Sequence, residues 1–248
     1  MKWSDTGIVL SVRNYGEQSI IVSLMTAAHG RHLGLIKGGR GKKERGKYEI
    51  GNYLSVTWNA RIEEQLGSFK CELLKSHAAL YFEDPLRLSG LSSACTILER
   101  VLPERESYQA LHESLLSFLS NLNSYEWLEN YVRWEIAVLK CLGFGLNLTA
   151  CAATGKKGEL IYVSPKSGKA VSRLAGEPYK HKLLALPRFL RTSTAKIQSI
   201  DYGEIIEGLT LTSYFLNQYV FVHSRNGCPA ARDRLVDQIK QKHNIGKN

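Results

Sequence analysis

Arg31, Lys37, Arg40, Lys42, Lys43, Arg45 and Lys47 place seven cations within one short segment, against the single acid Glu44. Gly34, Gly38, Gly39, Gly41 and Gly46 are interleaved with them. Lysine and arginine neutralise phosphates, and glycine lets the backbone bend and approach a sugar-phosphate chain closely. The chemistry implied is polyanion binding by charge, with no bond made or broken. A solvated, flexible loop is the bland alternative. If four to six of these groups meet duplex phosphates, log K falls with log[salt] at a slope of roughly −4 to −5.

Gly41-Lys42-Lys43-Glu44-Arg45-Gly46-Lys47 also fits the first seven positions of a nucleotide-binding P-loop. Tyr48 follows where Ser or Thr must reach Mg²⁺, and a strand pattern follows where a helix is needed, so ATP binding is not expected. No His-Glu-x-x-His or Gly-x-Ser-x-Gly occurs. His29 and His32, three apart at a strand start, read as solvent-facing. The acids of the middle segment read as solvated helix faces, which leaves a metal-dependent nuclease without a visible site. Cys71, Cys95, Cys141, Cys151 and Cys228 are scattered, with no Cys-x-x-Cys, so reduced and mostly buried thiols are expected. No catalytic residue, metal or cofactor is expected, and the chain reads as not an enzyme.

The elements that position the basic segment follow from periodicity. Ile8–Val12 and Ile20–Met25 are β-branched runs around Tyr15-Gly16-Glu17, the pattern of a hairpin. His32–Lys37, Tyr53–Ala60 and Ser68–Leu74 add three strands. Five short strands in this space predict a small barrel of the oligonucleotide/oligosaccharide-binding (OB) type, with the basic segment as an inter-strand loop. Tyr15, Tyr48, Tyr53, Trp58 and Phe69 could stack on bases but fit the barrel core better. Arg13 and Arg61 are further candidate phosphate contacts.

From Asp84-Pro85 onward the period is helical. Leu111, Leu115, Phe118, Leu119 and Leu122 share one helix face, as do Leu128, Tyr131, Val132, Glu135, Ile136 and Leu139. A strand, turn and strand are expected at 159–172. Helices return at about 209–223 and 229–242, with Pro229 in the first turn of the latter. The fold class is thus multi-domain β + α: a barrel domain at 1–80, then a helical domain at 81–248 with a β insert at about 146–200.

The 248 residues hold 44% hydrophobic and 23% charged side chains, an ordinary globular mix. The net charge of +10 is uneven: residues 1–80 carry +5, 81–145 carry −4 and 146–248 carry +9. A second basic zone at 151–196 holds 10 Lys and Arg against Glu159 and Glu177. Such an excess favours nucleic acid as the partner. No run of 18 apolar residues and no signal-peptide core is present, so a cytoplasmic protein without membrane contact is expected.

The ordered set of features resembles the bacterial DNA repair and recombination mediator family RecO. It comprises Gly7-Ile8-Val9-Leu10, Tyr15-Gly16-Glu17, Ile20-Ile21-Val22, Lys37-Gly38-Gly39-Arg40, Cys141-Leu142-Gly143-Phe144, Cys151-Ala152-Ala153-Thr154-Gly155 and Tyr162–Val171. The resemblance implies an N-terminal OB domain and a helical domain with a zinc-finger-like insert. It implies binding of single- and double-stranded DNA, ATP-independent annealing of complementary strands, and DNA repair by homologous recombination at the nucleoid. It implies RecR and the acidic C-terminal tail of single-stranded-DNA-binding protein (SSB) as partners, and a functional link to RecA loading. Many family members have four cysteines in the insert. Here Cys151 stands alone, with Thr154 in place of a second ligand, so a zinc-less insert is expected.

Lys37, Arg40, Lys42, Lys43, Arg45 and Lys47 are the expected DNA contacts, with Arg13 and Arg31 second. Arg133, Lys140 and Arg173 are the residues suggested for the acidic protein tail. An RNA-binding OB module in RNA or ribosome maturation is the alternative reading.

Overall fold

The structure is a computed structural model that describes residues 1–42, 44–191, 201–225 and 227–245. Two compact units divide it, Met1–Leu122 and Asn123–Asn248.

In the first unit, strands β1 (Lys2–Tyr15), β2 (Ser19–Thr26), β3 (Gly30–Ile36), β4 (Tyr53–Asn59) and β5 (Ser68–Lys75) close into a barrel of order β1-β2-β3-β5-β4. β1 is long enough to pair with β2 along one edge and with β4 along the other. β3 meets β5 in parallel at Leu35 and Ser68, which shuts the barrel. This is the OB arrangement expected from the strand spacing. Its interior is packed by Val9, Val22, Leu24, Leu54, Val56, Trp58 and Phe69. Each such side chain contributes about 1.5–3 kcal/mol by leaving water. Ile8 and Leu10, of opposite parity to Val9, are also fully buried, and the helix at Pro85–Val101 packs on β1.

Gly34 and Gly30 are among the glycines dictated by space. A Cβ on Gly34 would lie 2.3 Å from the Phe69 ring. Gly30 has φ +65°, and a Cβ there would lie 1.8 Å from the Glu106 carbonyl oxygen.

Helices α1 (His77–Leu80), α2 (Pro85–Val101) and α3 (Gln109–Ser120) complete this unit. α2 starts where expected because Asp84 caps it, accepting from the Arg87 amide at 3.0 Å, and Pro85 needs no amide partner. Glu99 on α2 accepts from Ser11 (3.0 Å) and Ser23 (2.5 Å), tying helix to barrel.

The second unit holds α4 (Trp127–Cys141), α6 (Tyr202–Phe215) and α7 (Ala230–Ile245). A small sheet of order β7-β6-β8 is inserted, built from β6 (Leu160–Val163), β7 (Ala170–Ser172) and β8 (Leu184–Ala185), with the one-turn helix α5 (Arg173–Gly176) after β7. β8 and α5 are too short to leave a periodic trace in the sequence. α6 begins seven residues before the expected 209, because the Asp201 carboxylate caps it through the Gly203 and Glu204 amides. It runs on into a π-helical turn, Leu216–Val220. Pro229 lies one residue before α7, its carbonyl accepting from the Arg232 and Asp233 amides. Among the described residues no helix is long and apolar enough to cross a membrane.

Candidate nucleic-acid interface

β3 delivers the chain outward at Lys37, and β4 takes it back at Tyr53. The stretch between is a succession of turns. Gly41 donates to the Gly38 carbonyl (2.9 Å), and Glu44 and Arg45 donate to that of Gly41 (2.9 and 3.1 Å). A 3-10 turn, Arg45–Tyr48, follows and drives the Tyr48 ring into the barrel core. Asn52 fixes this turn. Its side-chain amide donates to the Gly46 and Lys47 carbonyls (2.9 and 3.2 Å), and its oxygen accepts from Ser76 and the Ala78 amide (both 3.3 Å). Asn52 is wholly buried. Sequence reasoning passed over it, although Asn in a turn ahead of a strand is a common signal.

The seven cations separate into groups. The side chains of Lys37, Lys42 and Arg45 are exposed and enter no hydrogen bond or ion pair among the described residues, and Arg13 on β1 is likewise free. Arg40 is exposed but tethered, donating to the Gly16 and Glu17 carbonyls in the β1–β2 turn (3.1 and 2.8 Å). Lys47 pairs with Glu44 at 2.9 Å. Arg31 is turned inward: its Nε donates to the Leu102 carbonyl (2.8 Å) and its guanidinium faces Glu99 (3.7 Å) and Glu104 (3.5 Å). Lys43 lies outside the described residues.

Two grooves flank the 3-10 turn, and Tyr48 lines both. One, of about 490 Å³, is bordered by Lys37, Lys47 and Lys70 over Ser55, Thr57 and Phe69. The other, of about 380 Å³, is bordered by Arg40, Arg45 and Asn14. Lys70 was missed by the sequence reading. Its signal was the β5 alternation, in which Lys70 points out while Phe69 points in.

Burial, with the neighbouring Glu44 carboxylate, pushes the Tyr48 hydroxyl well above its ordinary value. Burial pushes the Cys71 thiol up to about 12. Both stay neutral, so the charge around the turn comes from its cations and from Glu44, Glu49 and Glu72. The Lys47 ammonium holds Glu44 below the usual carboxylate range. Of the aromatic residues, Tyr48, Trp58 and Phe69 are core, Tyr53 is half-buried and Tyr15 is exposed. His32 corrects an expectation. It is buried rather than solvent-facing, because it shares the inward parity of Gly34 and Ile36 on β3.

In the second unit, Arg133 is committed internally. It donates to the Phe189 carbonyl (2.5 Å), covers the Phe189 ring and pairs with Glu129 (3.3 Å). Lys140 and Arg173 are exposed. Phe144, partly exposed and close in sequence to Lys140, stacks on Tyr219 with centroids 5.2 Å apart.

The insert does not fit a four-thiolate metal centre. Cys151 is its one cysteine, and the sulfur accepts from the Ser172 amide (3.3 Å) and lies 3.4 Å from the Ser172 hydroxyl. Burial opposes ionisation of this thiol. The hydrogen bonds from Ser172, Thr154 and the Ala153 amide outweigh it and bring the thiol down to about 6. The sulfur therefore organises the turn at 151–155 through hydrogen bonds to its own chain. Among the described residues no three His, Cys, Asp or Glu side chains converge as a metal site.

Residues 1–77 match the family model "Recombination protein O N terminal", and residues 82–226 match "Recombination protein O C terminal". The chain is 45% identical to the DNA repair protein RecO of Rhodospirillum centenum over 245 residues, 98% of this chain and 96% of that one. It is 43% identical to the RecO protein of Rhodospirillum rubrum over 247 residues, 97% of each chain. The RecO protein of Sinorhizobium medicae is 41% identical over 237 residues, 95% of this chain and 94% of its own. Two family models matched in succession, relatives matched over nearly their whole length, and a closed OB barrel followed by helices together show that the chain belongs to the RecO family of DNA repair proteins.

Proposed function

We propose that the chain binds single- and double-stranded DNA through the barrel and anneals complementary strands without ATP. The observation that carries this is the set of exposed, unpaired cations Lys37, Lys42 and Arg45 held around the Asn52-clamped turn, with a groove on either side. Lys43, Arg40, Lys47, Lys70 and Arg13 add to the field. Arg31, committed to Glu99 and Glu104, acts within the fold instead.

Annealing by such a surface needs no catalytic group. Two polyanions repel each other. A cationic surface that holds both lowers the repulsion and raises their local concentration, while base pairing supplies the sequence specificity. In this reading the chain acts in the cytoplasm, at the nucleoid. It works with RecR and helps load RecA on DNA coated by SSB. The exposed Lys140, with the Phe144–Tyr219 stack, offers the cation and apolar surface that an acidic protein tail needs, and Arg173 is a second exposed cation on that unit.

The test is a strand-annealing assay with bare and SSB-coated strands, without nucleotide. The expected result is faster annealing by the wild-type chain and loss of that gain in Lys37→Ala/Lys42→Ala/Arg45→Ala. RNA of equal length that competes better than DNA would overturn the reading in favour of an RNA-binding role.

A further inference from the structure

At the Gly30 end of β3, three aromatic rings stack from the barrel core outward. Trp58 is 1% exposed, Trp3 is half-buried, and the His29 side chain is 35% exposed. Trp3 stacks with Trp58 at 5.6 Å between centroids and with His29 at 3.9 Å, the latter pair within 7° of parallel. The outer ring is held in place: Asp5 bonds His29 Nδ1 at 3.1 Å and is itself fixed by the Thr6 and Ala28 amides. A flat π-surface is therefore presented already oriented.

A cleft of about 550 Å³ adjoins this stack, in the size range of small-ligand sites. His32 lines it. That side chain is 4% exposed and edge-on to both Trp3 and Trp58, and neither of its ring nitrogens has a hydrogen-bond partner. A buried polar ring left unsatisfied is costly unless something else fills its bonds. Lys2 and Arg105 stand at the rim, and Arg105 is braced by the Glu63 and Gln65 carbonyls. The site thus offers a stacking face and two cations beside one acid, Glu63, with the His32 nitrogens sealed beneath the surface. A nucleotide presents the complement of the first two: a planar base and a phosphate.

We propose that this cleft receives one unpaired nucleobase of a single strand whose backbone continues to the Lys37–Lys47 segment. The inference rests on the DNA-binding reading above and extends it by naming a seat for a base. The five residues from His32 to Lys37 span about 17 Å at strand rise, or about five nucleotides at a stacked spacing of 3.4 Å. That lies within the site size of a single OB barrel. A duplex cannot use the cleft, because its bases are already stacked and paired. The seat therefore favours single strands over duplex without reading sequence.

The test uses the full chain and (dT)20 carrying one 5-iododeoxyuridine. Light-induced cross-links mapping to Trp3, His29 or His32 are the expected result. Binding with cross-links confined to residues 37–48 overturns this inference and leaves the DNA-binding reading standing. Absence of binding to any single strand overturns both. In parallel, His29→Ala weakens (dT)20 binding about tenfold, leaves a 20-base-pair duplex unaffected, and is rescued by His29→Phe, which restores the stacking face. Unchanged (dT)20 affinity in His29→Ala overturns the proposal. Free dTMP at millimolar concentration leaves the cross-links intact. If dTMP displaces them, the cleft is a mononucleotide site and the strand reading falls.

Discussion

Glu135 on α4 and Arg232 on α7 form a bidentate ion pair sealed from solvent, with Nε–Oε1 at 2.6 Å and Nη2–Oε2 at 2.9 Å. Further hydrogen bonds surround the pair. Tyr131 and Thr212 donate to the carboxylate, and the guanidinium also donates to Ser213 and the Leu209 carbonyl. Burial disfavours the guanidinium charge, but the carboxylate beside it keeps Arg232 protonated. The three long helices of the second unit therefore meet at one charge-neutral knot. Glu135→Leu or Arg232→Leu alone strands a buried charge and costs about 3–5 kcal/mol of stability. The double leucine variant recovers much of that loss. Urea unfolding of the three variants checks both statements.

The basic segment divides into free and committed cations, and mutants should divide the same way. Lys37→Ala/Lys42→Ala/Arg45→Ala removes up to three phosphate contacts, so the log–log salt slope for duplex binding becomes shallower by about 2–3. The unfolding midpoint stays near wild type. Arg31→Ala does the opposite: the slope is kept and stability falls, because Glu99, Glu104 and the Leu102 carbonyl lose their half-buried partner. Binding isotherms at four salt concentrations, with thermal melts, separate the two classes.

Asn52→Ala removes the clamp on the 3-10 turn and leaves the Gly46 and Lys47 carbonyls without their donor. The expected destabilisation is about 1–3 kcal/mol. Amide hydrogen exchange should quicken at Arg45–Tyr48 while the β2 amides stay protected.

Three histidines of the first unit make it acid-sensitive. Burial, aided by nearby cations, holds His32 and His77 down at about 4, and burial also lowers His112. Each is neutral in the folded chain and titrates at its ordinary value, near 6.5, when unfolded. Stability is therefore full above about pH 6.5 and falls as pH drops from there towards 4, where His32 and His77 begin to protonate in the folded chain. The size is about 2–4 kcal/mol each for His32 and His77. Urea midpoints at pH 7.5 and pH 5 should differ clearly, and His77→Leu should shrink the difference.

The barrel was legible because its strands are β-branched runs broken by glycine turns, and interior packing enforces that alternation. His32 could have been placed by the same rule, since it shares parity with Gly34 and Ile36, but its polarity argued the other way. Which cations are free was not legible. Arg31 finds its carboxylates on α2 and just beyond it, some 70 residues along the chain, and Arg40 spends its guanidinium on two backbone carbonyls. Only the Glu44–Lys47 pair, three residues apart, could be seen locally. The start of α6 was not legible, because Asp201 declares itself a cap only through its bonds to the Gly203 and Glu204 amides. The Trp58–Trp3–His29 stack joins three segments that no local pattern connects.

The clamp at Asn52 has one more effect. A ligand that meets Arg45 finds it on a backbone already set when the barrel forms, so only side-chain freedom remains to be surrendered at the encounter. The stretch from Gly38 to Lys42 lies upstream of that anchor. Changes of length ahead of Gly41 can alter the reach of that stretch while the Gly41 carbonyl still holds the Arg45 amide.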